Sequence, residues 1–200
     1  MARPRQISNE QILDAVRRCV FAQGPQVSMA IIAEKLGVTP PALLKRFGTK
    51  EELLCEALAP PENPPFLATI EAGPTDSPLD EQMLELAREI ATWLRSMTPR
   101  FAALRASGLM YQMIRKKFDV PPPVRTLHAL TDWFSRAAER GLVKPNQAGT
   151  MASMMLGSLH IRIFITFMSP GTIEGGDDLD SYLITSMRML AHAFSNEDNL

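Results

Sequence analysis

Apolar residues recur at three- and four-residue spacing along most of the chain, a pattern that predicts amphipathic helices rather than strands. The first predicted helix spans residues 8–23, begins at a Ser8–Gln11 capping box and ends before Gly24-Pro25. Its apolar face carries Ile12, Val16, Cys19 and Val20. The sequence therefore predicts that the first helix buries one of its sides.

The next two predicted helices are short and are separated by a tight turn. Ser28 can cap the first of them and Gly37 can end it, while Thr39 can cap the second with Pro40 in its first turn. Two short helices joined through Gly37-Val38 fit a helix-turn-helix, whose second helix enters the major groove of DNA.

A fourth helix is predicted to begin after Thr49, which forms a capping-box pattern with Glu52. Six prolines between residues 60 and 78 predict a mostly irregular connection, with a short turn around residues 66–70. We therefore place the domain boundary here and expect one domain over residues 1–55 and a second over 56–200.

Five further helices are predicted in the second domain, which gives an all-α chain of about nine helices. They cover residues 79–97, 99–118, 123–140, 146–168 and 178–194, and Asp177 or Asp178 opens the last. Pro99 is expected to separate the first two, and Ser107-Gly108 could divide the second.

The last two helices are the most apolar, and the first of them is apolar nearly all round from Met151. Gly157 and Ser158 allow close approach of another helix, so we expect a self-association surface. A membrane span over 151–168 is less favoured, because the run is short and contains His160 and Arg162.

Charge and chemistry-bearing residues narrow the functional classes. Residues 1–55 hold eight lysines and arginines against five acids, whereas the remainder carries more acids than bases. Cys19 and Cys55 are isolated, and the three histidines (His128, His160 and His192) match no metal spacing. We find no catalytic motif, metal site or cofactor motif and no signal peptide, so we expect a cytoplasmic, non-enzymatic protein.

The segment AEKLGVTPPALLKRFGTKEEL, residues 33–53, resembles the DNA-binding region of TetR-family transcriptional regulators. The resemblance covers about a quarter of the chain. It implies an all-helical homodimer with an N-terminal three-helix DNA-binding domain and a C-terminal ligand and dimerisation domain. One position departs from the family, since Leu44 stands where a tyrosine often contacts a phosphate.

The resemblance also implies which residues contact double-stranded DNA. Base contacts carry over to Thr39, Pro41, Ala42 and Lys45, and phosphate contacts to Arg46 and Lys50. Pro40 and Leu44 lie on the same outward side, and Ser28 could hold a phosphate at a helix N-terminus. Arg3 and Arg5 form a basic arm that could reach the minor groove.

The sequence gives weaker evidence for the effector site than for the DNA-binding region. A mostly apolar pocket between helices could be lined by aromatic residues and methionines, namely Trp93, Phe101, Met110, Met113, Trp133, Met154 and Phe164. An ordinary core is the alternative for each of them. By resemblance, the last two helices pair with their copies in a homodimer. We expect a repressor released by a small effector; the alternatives are control by a partner protein, or an enzyme on a helical bundle.

Overall fold

The computed structural model describes residues 7–171 and 178–195, and its named elements are ten helices. They are α1 (Asn9–Gln23), α2 (Met29–Leu36), α3 (Pro40–Phe47), α4 (Lys50–Leu58), α5 (Phe66–Ala72), α6 (Leu79–Ala106), α7 (Met110–Lys117), α8 (Pro122–Glu139), α9 (Ala148–Met168) and α10 (Leu179–Phe194). The predicted all-α class is confirmed.

The chain folds into two compact units, each with its own core. The first contains the chain up to Pro60 together with Pro99–Asp119, and the second contains Pro61–Thr98 and the chain from Val120 onward. The expected boundary after residue 55 differs from this division, because residues 99–119 join the first unit. A segment distant in sequence packs there through Leu104, Leu109 and Met113.

Four helices of the first unit begin where the sequence placed their caps. Ser8, Ser28, Thr39 and Thr49 each accept a hydrogen bond from a backbone N–H three residues later. These caps satisfy donors that have no partner inside the helix. Capping boxes with Gln11 and Glu52 are present at the first and fourth helices, as predicted.

The proline-rich connection contains a helix, α5, where the sequence predicts only a short turn. Phe66, Leu67 and Ile70 of α5 are buried in the second core, so tertiary packing favours a helix in a segment with weak local signals. This helix accounts for the count of ten in the described chain rather than about nine.

The predicted helix break at Pro99 is wrong, since α6 continues through it to Ala106. Pro99 has no backbone N–H, so the carbonyl of Arg95, four residues earlier, loses its usual helical partner. Arg95 lies on the exposed side of α6, where water can hydrogen-bond to that carbonyl. The Thr98 hydroxyl donates to the Leu94 carbonyl at 2.8 Å and serves the neighbouring acceptor. The chain then turns at Gly108, which has φ 76°, before α7.

Two arginines of α8 and Arg140, its C-cap residue, hold the connection between residues 62 and 76 in the second unit. Arg125 donates to the Glu62 carbonyl at 2.8 Å, and Arg136 donates to the carbonyls of Ile70 and Glu71 at 2.7 and 3.0 Å. Arg140 hydrogen-bonds the Pro74 carbonyl and pairs with Asp76. These bonds satisfy backbone carbonyls at the C-terminal end of α5 and in the irregular chain on either side of it.

By length and composition, α9 could cross a membrane, because it has 21 residues and an 18-residue window within it has a mean hydropathy of 1.4. The expectation that this run is too short is therefore wrong. Arg162 nevertheless lies within it, with its guanidinium carbon 4.8 Å from the centre of the Tyr182 ring. Met151, Met155 and Leu159 are buried in the second core, so one side of the helix packs into a folded domain.

We expect Phe134→Ala to lower the free energy of unfolding by about 3–5 kcal/mol, because Phe134 is fully buried beside Trp133. Phe21→Ala is the control, since the Phe21 side chain is 50% exposed. Urea denaturation measures both variants, and a similar small loss for the two would contradict the packing described for the second core.

Candidate nucleic-acid interface

In the turn between α2 and α3, one set of hydrogen bonds ends α2 and another begins α3 within two residues. Gly37 adopts a left-handed conformation with φ 66°, and its N–H bonds to carbonyls at the end of α2. The N–H of Val38 bonds to the Ala33 carbonyl at 3.0 Å. Thr39 then caps α3 by accepting from the Ala42 N–H at 3.4 Å. The predicted helix-turn-helix is confirmed.

Burial fixes the orientation of α3. Leu43 and Phe47 lie four residues apart on the inner side and belong to the core of the first unit. The opposite side presents Pro41 and Lys45, which are also four residues apart and exposed. Ala42, Leu44 and Arg46 flank them and are exposed, and Thr39 lies at the exposed N-cap. Pro40 is half-buried.

Ser28 and Lys50 lie at two other helix N-termini of this unit. The exposed Ser28 hydroxyl caps α2 at 3.3 Å from the Ile31 nitrogen. Lys50 opens α4, and its ammonium lies 3.4 Å from the Gln26 carbonyl oxygen. A helix N-terminus favours anions, so both positions suit contacts with phosphate groups.

Arg46 makes a contact with a residue distant in sequence, which local spacing along the chain does not predict. Its Nη1 donates to the Ile7 carbonyl at 2.6 Å, across 39 residues of sequence. Its guanidinium carbon lies 5.9 Å from the centre of the Phe47 ring. The arginine expected to contact phosphate is therefore engaged with the start of α1. Arg3 and Arg5 lie outside the described residues.

Glu52 connects the start of α4 to α7 within the first unit. Its carboxylate accepts from the Thr49 N–H at 3.0 Å and from the Lys116 ammonium at 3.2 Å. A side chain at Gly48, where φ is 83°, would collide with the same carboxylate. In the sequence, the run Arg115-Lys116-Lys117 favours a solvated helix end over a second DNA-binding patch, and the ion pair of Lys116 with Glu52 depends on tertiary placement.

The surroundings of Glu52 lower the pKa of its carboxyl group. The largest cause is the hydrogen bond from the Thr49 backbone, and Lys116 adds a hydrogen bond and a favourable charge. The half-buried Cys55 thiol, one turn further along α4, has its pKa raised by burial. Cys19 is fully buried, which confirms that it acts as a small apolar core residue.

The seven residues expected to line an effector pocket do not form one cluster. Phe101, Met110 and Met113 pack against the core of the first unit. Trp93 and Trp133 belong to the second, where Trp93 packs edge-on against Phe66. The remaining two, Met154 and Phe164, are 47% and 52% exposed on α9.

Two polar residues of the apolar helix α9, His160 and Arg162, have interaction partners within the second unit. His160 is half-buried, and its Nδ1 lies 2.9 Å from the Leu156 carbonyl oxygen one turn earlier. Arg162 stacks over Tyr182 of α10. No group of three or more potential metal ligands occurs within residues 7–171 and 178–195.

Comparison with known proteins identifies this type of N-terminal domain. Residues 12–57 match the family model of bacterial regulatory proteins of the tetR family. This match spans α1 to α4 except for a few terminal residues, and so it includes the helix-turn-helix. A search of curated proteins found no match.

Solved structures share the fold over nearly the whole chain. A protein from Mesorhizobium loti assigned to the TetR family has a TM-score of 0.72 and 18% identity, with 94% of this chain and 96% of that one covered. The TetR-family regulator PfmR from Thermus thermophilus has a TM-score of 0.61 and 19% identity, with coverage of 91% and 97%. SmeT, solved with triclosan, has a TM-score of 0.63 and 17% identity, with coverage of 96% and 93%.

We expect Glu52→Gln to lower the melting temperature at neutral pH, with the difference from wild type shrinking in acid. A lowered pKa in the folded state stabilises the protein above the ordinary carboxyl pKa, and this contribution is lost as the pH falls through the folded value. Thermal unfolding from pH 7 down to pH 3 measures the effect. Glu56→Gln, exposed on the same helix, is the control, and equal shifts for both variants would contradict the role of Glu52.

Proposed function

We propose that the chain, which carries the N-terminal domain of the tetR family and the fold of TetR-family regulators, is a transcriptional regulator that acts as a cytoplasmic homodimeric repressor of a palindromic operator. The observation that carries the proposal is the orientation of α3. With Leu43 and Phe47 buried, Pro41 and Lys45 face outward at the centre of the helix. A recognition helix presents such a face to the major groove.

The exposed residues of α3 divide by chemistry into two kinds of contact. Lys45 and Thr39 can hydrogen-bond to base edges, and lysine suits the O6 and N7 acceptors of guanine. Pro41, Ala42 and Leu44 offer only apolar contact, for example with thymine methyl groups. Ser28 and Lys50 contact phosphates of the DNA backbone, and these contacts fix the position of α3 along the duplex.

Control by a small, mostly apolar effector is the second part of the proposal. The fold supports it, and one structural neighbour, SmeT, was solved with triclosan. Of the residues expected to line an effector pocket, Trp93 and Trp133 belong to the core of the second unit and are its candidates for contact with such a ligand. An effector that binds preferentially to a form unable to engage the operator would shift the population toward that form.

Control by a partner protein is the alternative for the second unit, and an enzyme is the less favoured one, because the family and the fold point to a regulator. An effector should raise the melting temperature and release operator DNA in the same concentration range. Failure of a panel of hydrophobic compounds to do either would favour the partner protein. Turnover of a substrate would favour the enzyme.

The decisive experiment is binding of the purified protein to DNA fragments from around its own gene, at two salt concentrations and with random DNA as competitor. Binding that survives the competitor supports a specific operator. Binding that competitor and salt abolish together would leave only the sequence-independent electrostatic component. Refolding the protein before a repeat removes any bound effector.

The exposed apolar face of α9 supports a homodimer. Ile161, Phe164, Ile165 and Met168 follow the three- and four-residue spacing of one helix side and are 39–61% exposed. Met189 of α10 is 67% exposed. A soluble domain rarely leaves such a contiguous apolar surface uncovered, so we propose that α9 and α10 pair with their copies.

Lys45→Ala and Lys50→Ala should weaken DNA binding in different ways. Loss of a base contact at Lys45 should reduce discrimination against a mutated base pair by about 1–3 kcal/mol. Loss of a phosphate contact at Lys50 should weaken binding to all DNA sequences alike. It should also reduce the slope of log affinity against log salt concentration by about one. Fluorescence anisotropy on matched and mutated operators measures both effects, and equal, sequence-independent losses would refute the role given to Lys45.

Phe164→Asp should convert the dimer to a monomer and abolish operator binding, because a charge would be buried at the centre of the pairing face. Light scattering coupled to size-exclusion chromatography gives the mass. Tyr111→Asp is the control, since Tyr111 is 71% exposed on α7 in the first unit. A dimeric Phe164→Asp variant would contradict this interface.

A further inference from the structure

A groove in the first unit lies between α7 and the junction of α3 and α4. Phe47, the last residue of α3, and Thr49, the N-cap of α4, line it together with Lys116 and Lys117 of α7. The groove therefore brings the C-terminal turn of α7 beside the end of the proposed recognition helix. This neighbourhood arises from tertiary packing, because α7 is distant from α3 and α4 in sequence.

An ion pair joins α7 to the first turn of α4. The Lys116 ammonium lies 3.2 Å from one oxygen of the Glu52 carboxylate, across 64 residues of sequence. The other oxygen of that carboxylate accepts from the Thr49 N–H at 3.0 Å. One carboxylate thus separates the Lys116 ammonium from the backbone at the start of α4. Lys50, the proposed phosphate contact, is the residue that follows Thr49.

The lysines of α7 change the charge that DNA meets at this edge of the first unit. Lys116 compensates the negative charge of Glu52, which would otherwise repel a nearby phosphate. Lys117 adds a positive charge that forms no ion pair with an acid of the described chain. Glu51 and Glu56 also line the groove, so the attraction depends on the Lys117 ammonium reaching a phosphate directly.

Both lysines are accessible to a partner outside the unit. The Lys116 side chain is 71% exposed, and Lys117 is exposed as well. Basic residues at the end of a helix also complement its dipole, which is the interpretation that the sequence favours. That role requires only a position in the last turn of α7. The tertiary structure adds the position beside α4 and next to the proposed DNA-binding surface.

We propose that the C-terminal turn of α7 extends the DNA-binding surface of the first unit beyond the helix-turn-helix, with Lys117 contacting a backbone phosphate and Lys116 neutralising Glu52. The inference rests on the proposed DNA-binding function. Phosphate contacts of this kind hold a protein on the duplex and carry no sequence information of their own. The lysines of α7 therefore add affinity for every DNA sequence alike.

Substitutions at the two lysines test the proposal. Lys117→Ala removes the contact, and Lys117→Arg keeps the positive charge. Arg18→Ala is the matched control, because Arg18 is an exposed cation of the same unit that lies on α1 and pairs with Asp14. Lys116→Ala is measured alone and together with Glu52→Gln. Fluorescence anisotropy on matched and mutated operators gives the affinity at several salt concentrations, and thermal unfolding checks that each variant is folded.

Lys117→Ala should weaken binding to both operators alike and reduce the slope of log affinity against log salt concentration by about one per bound subunit. The ratio of wild-type to variant affinity should then fall about threefold per subunit between about 50 and about 200 mM salt. Lys117→Arg and Arg18→Ala should keep the wild-type affinity and slope. Lys116→Ala should weaken binding, and the added Glu52→Gln should restore most of the affinity because the uncompensated carboxylate is then absent.

A wild-type affinity and slope in Lys117→Ala would overturn the proposal. An equal loss in Arg18→Ala would do the same, since it would indicate a general effect of net charge, and so would a loss confined to the matched operator. If Glu52→Gln did not restore binding to the Lys116→Ala variant, the role given to Lys116 would be wrong. Failure of the wild-type protein to bind any operator specifically would instead reject the proposed function, and so the two failures are distinguishable.

Discussion

The burial of Leu43 and Phe47 in the core of the first unit is the contact on which the proposed function depends. Because these residues occupy one side of a helix only eight residues long, the side that carries Pro41 and Lys45 must face outward. A helix this short is marginal alone, and tertiary packing supplies most of its stability. The same apolar contacts that hold α3 in the domain therefore decide which side chains are available to DNA.

Around that helix, a few polar contacts determine how its ends are held. Gly37 ends the preceding helix in a left-handed conformation, and Thr39 starts α3 within two residues. At the other end, Glu52 caps α4 and pairs with Lys116, a residue from a segment far along the sequence. Arg46 bonds to the start of α1. The turn thus joins α3 to α2, Arg46 joins α3 to the chain just before α1, and the pair of Glu52 and Lys116 joins α4 to α7.

The second unit has a mostly aliphatic core that includes Phe66, Trp133 and Phe134, and it leaves apolar residues of α9 exposed. Two arginines of α8 donate to backbone carbonyls of the proline-rich connection, Arg125 to Glu62 in its irregular part and Arg136 to Ile70 at the C-terminal end of α5. On α9, the inner residues pack into the core while Ile161 and Phe164 remain exposed. The arrangement favours a second copy of the chain as the partner of that surface.

Local signals in the sequence determined the helix-turn-helix, because caps such as Ser28 and Thr39 and the stop at Gly37 act within three or four residues. The apolar spacing also placed most helices of the second unit. Only the tertiary structure decided that α5 is a helix, that α6 continues through Pro99 and that residues 99–119 join the first unit. It also separated the residues expected to form one pocket, since Phe101 and Trp133 enter different cores. These outcomes depend on contacts between residues far apart in sequence, which spacing along the chain does not encode.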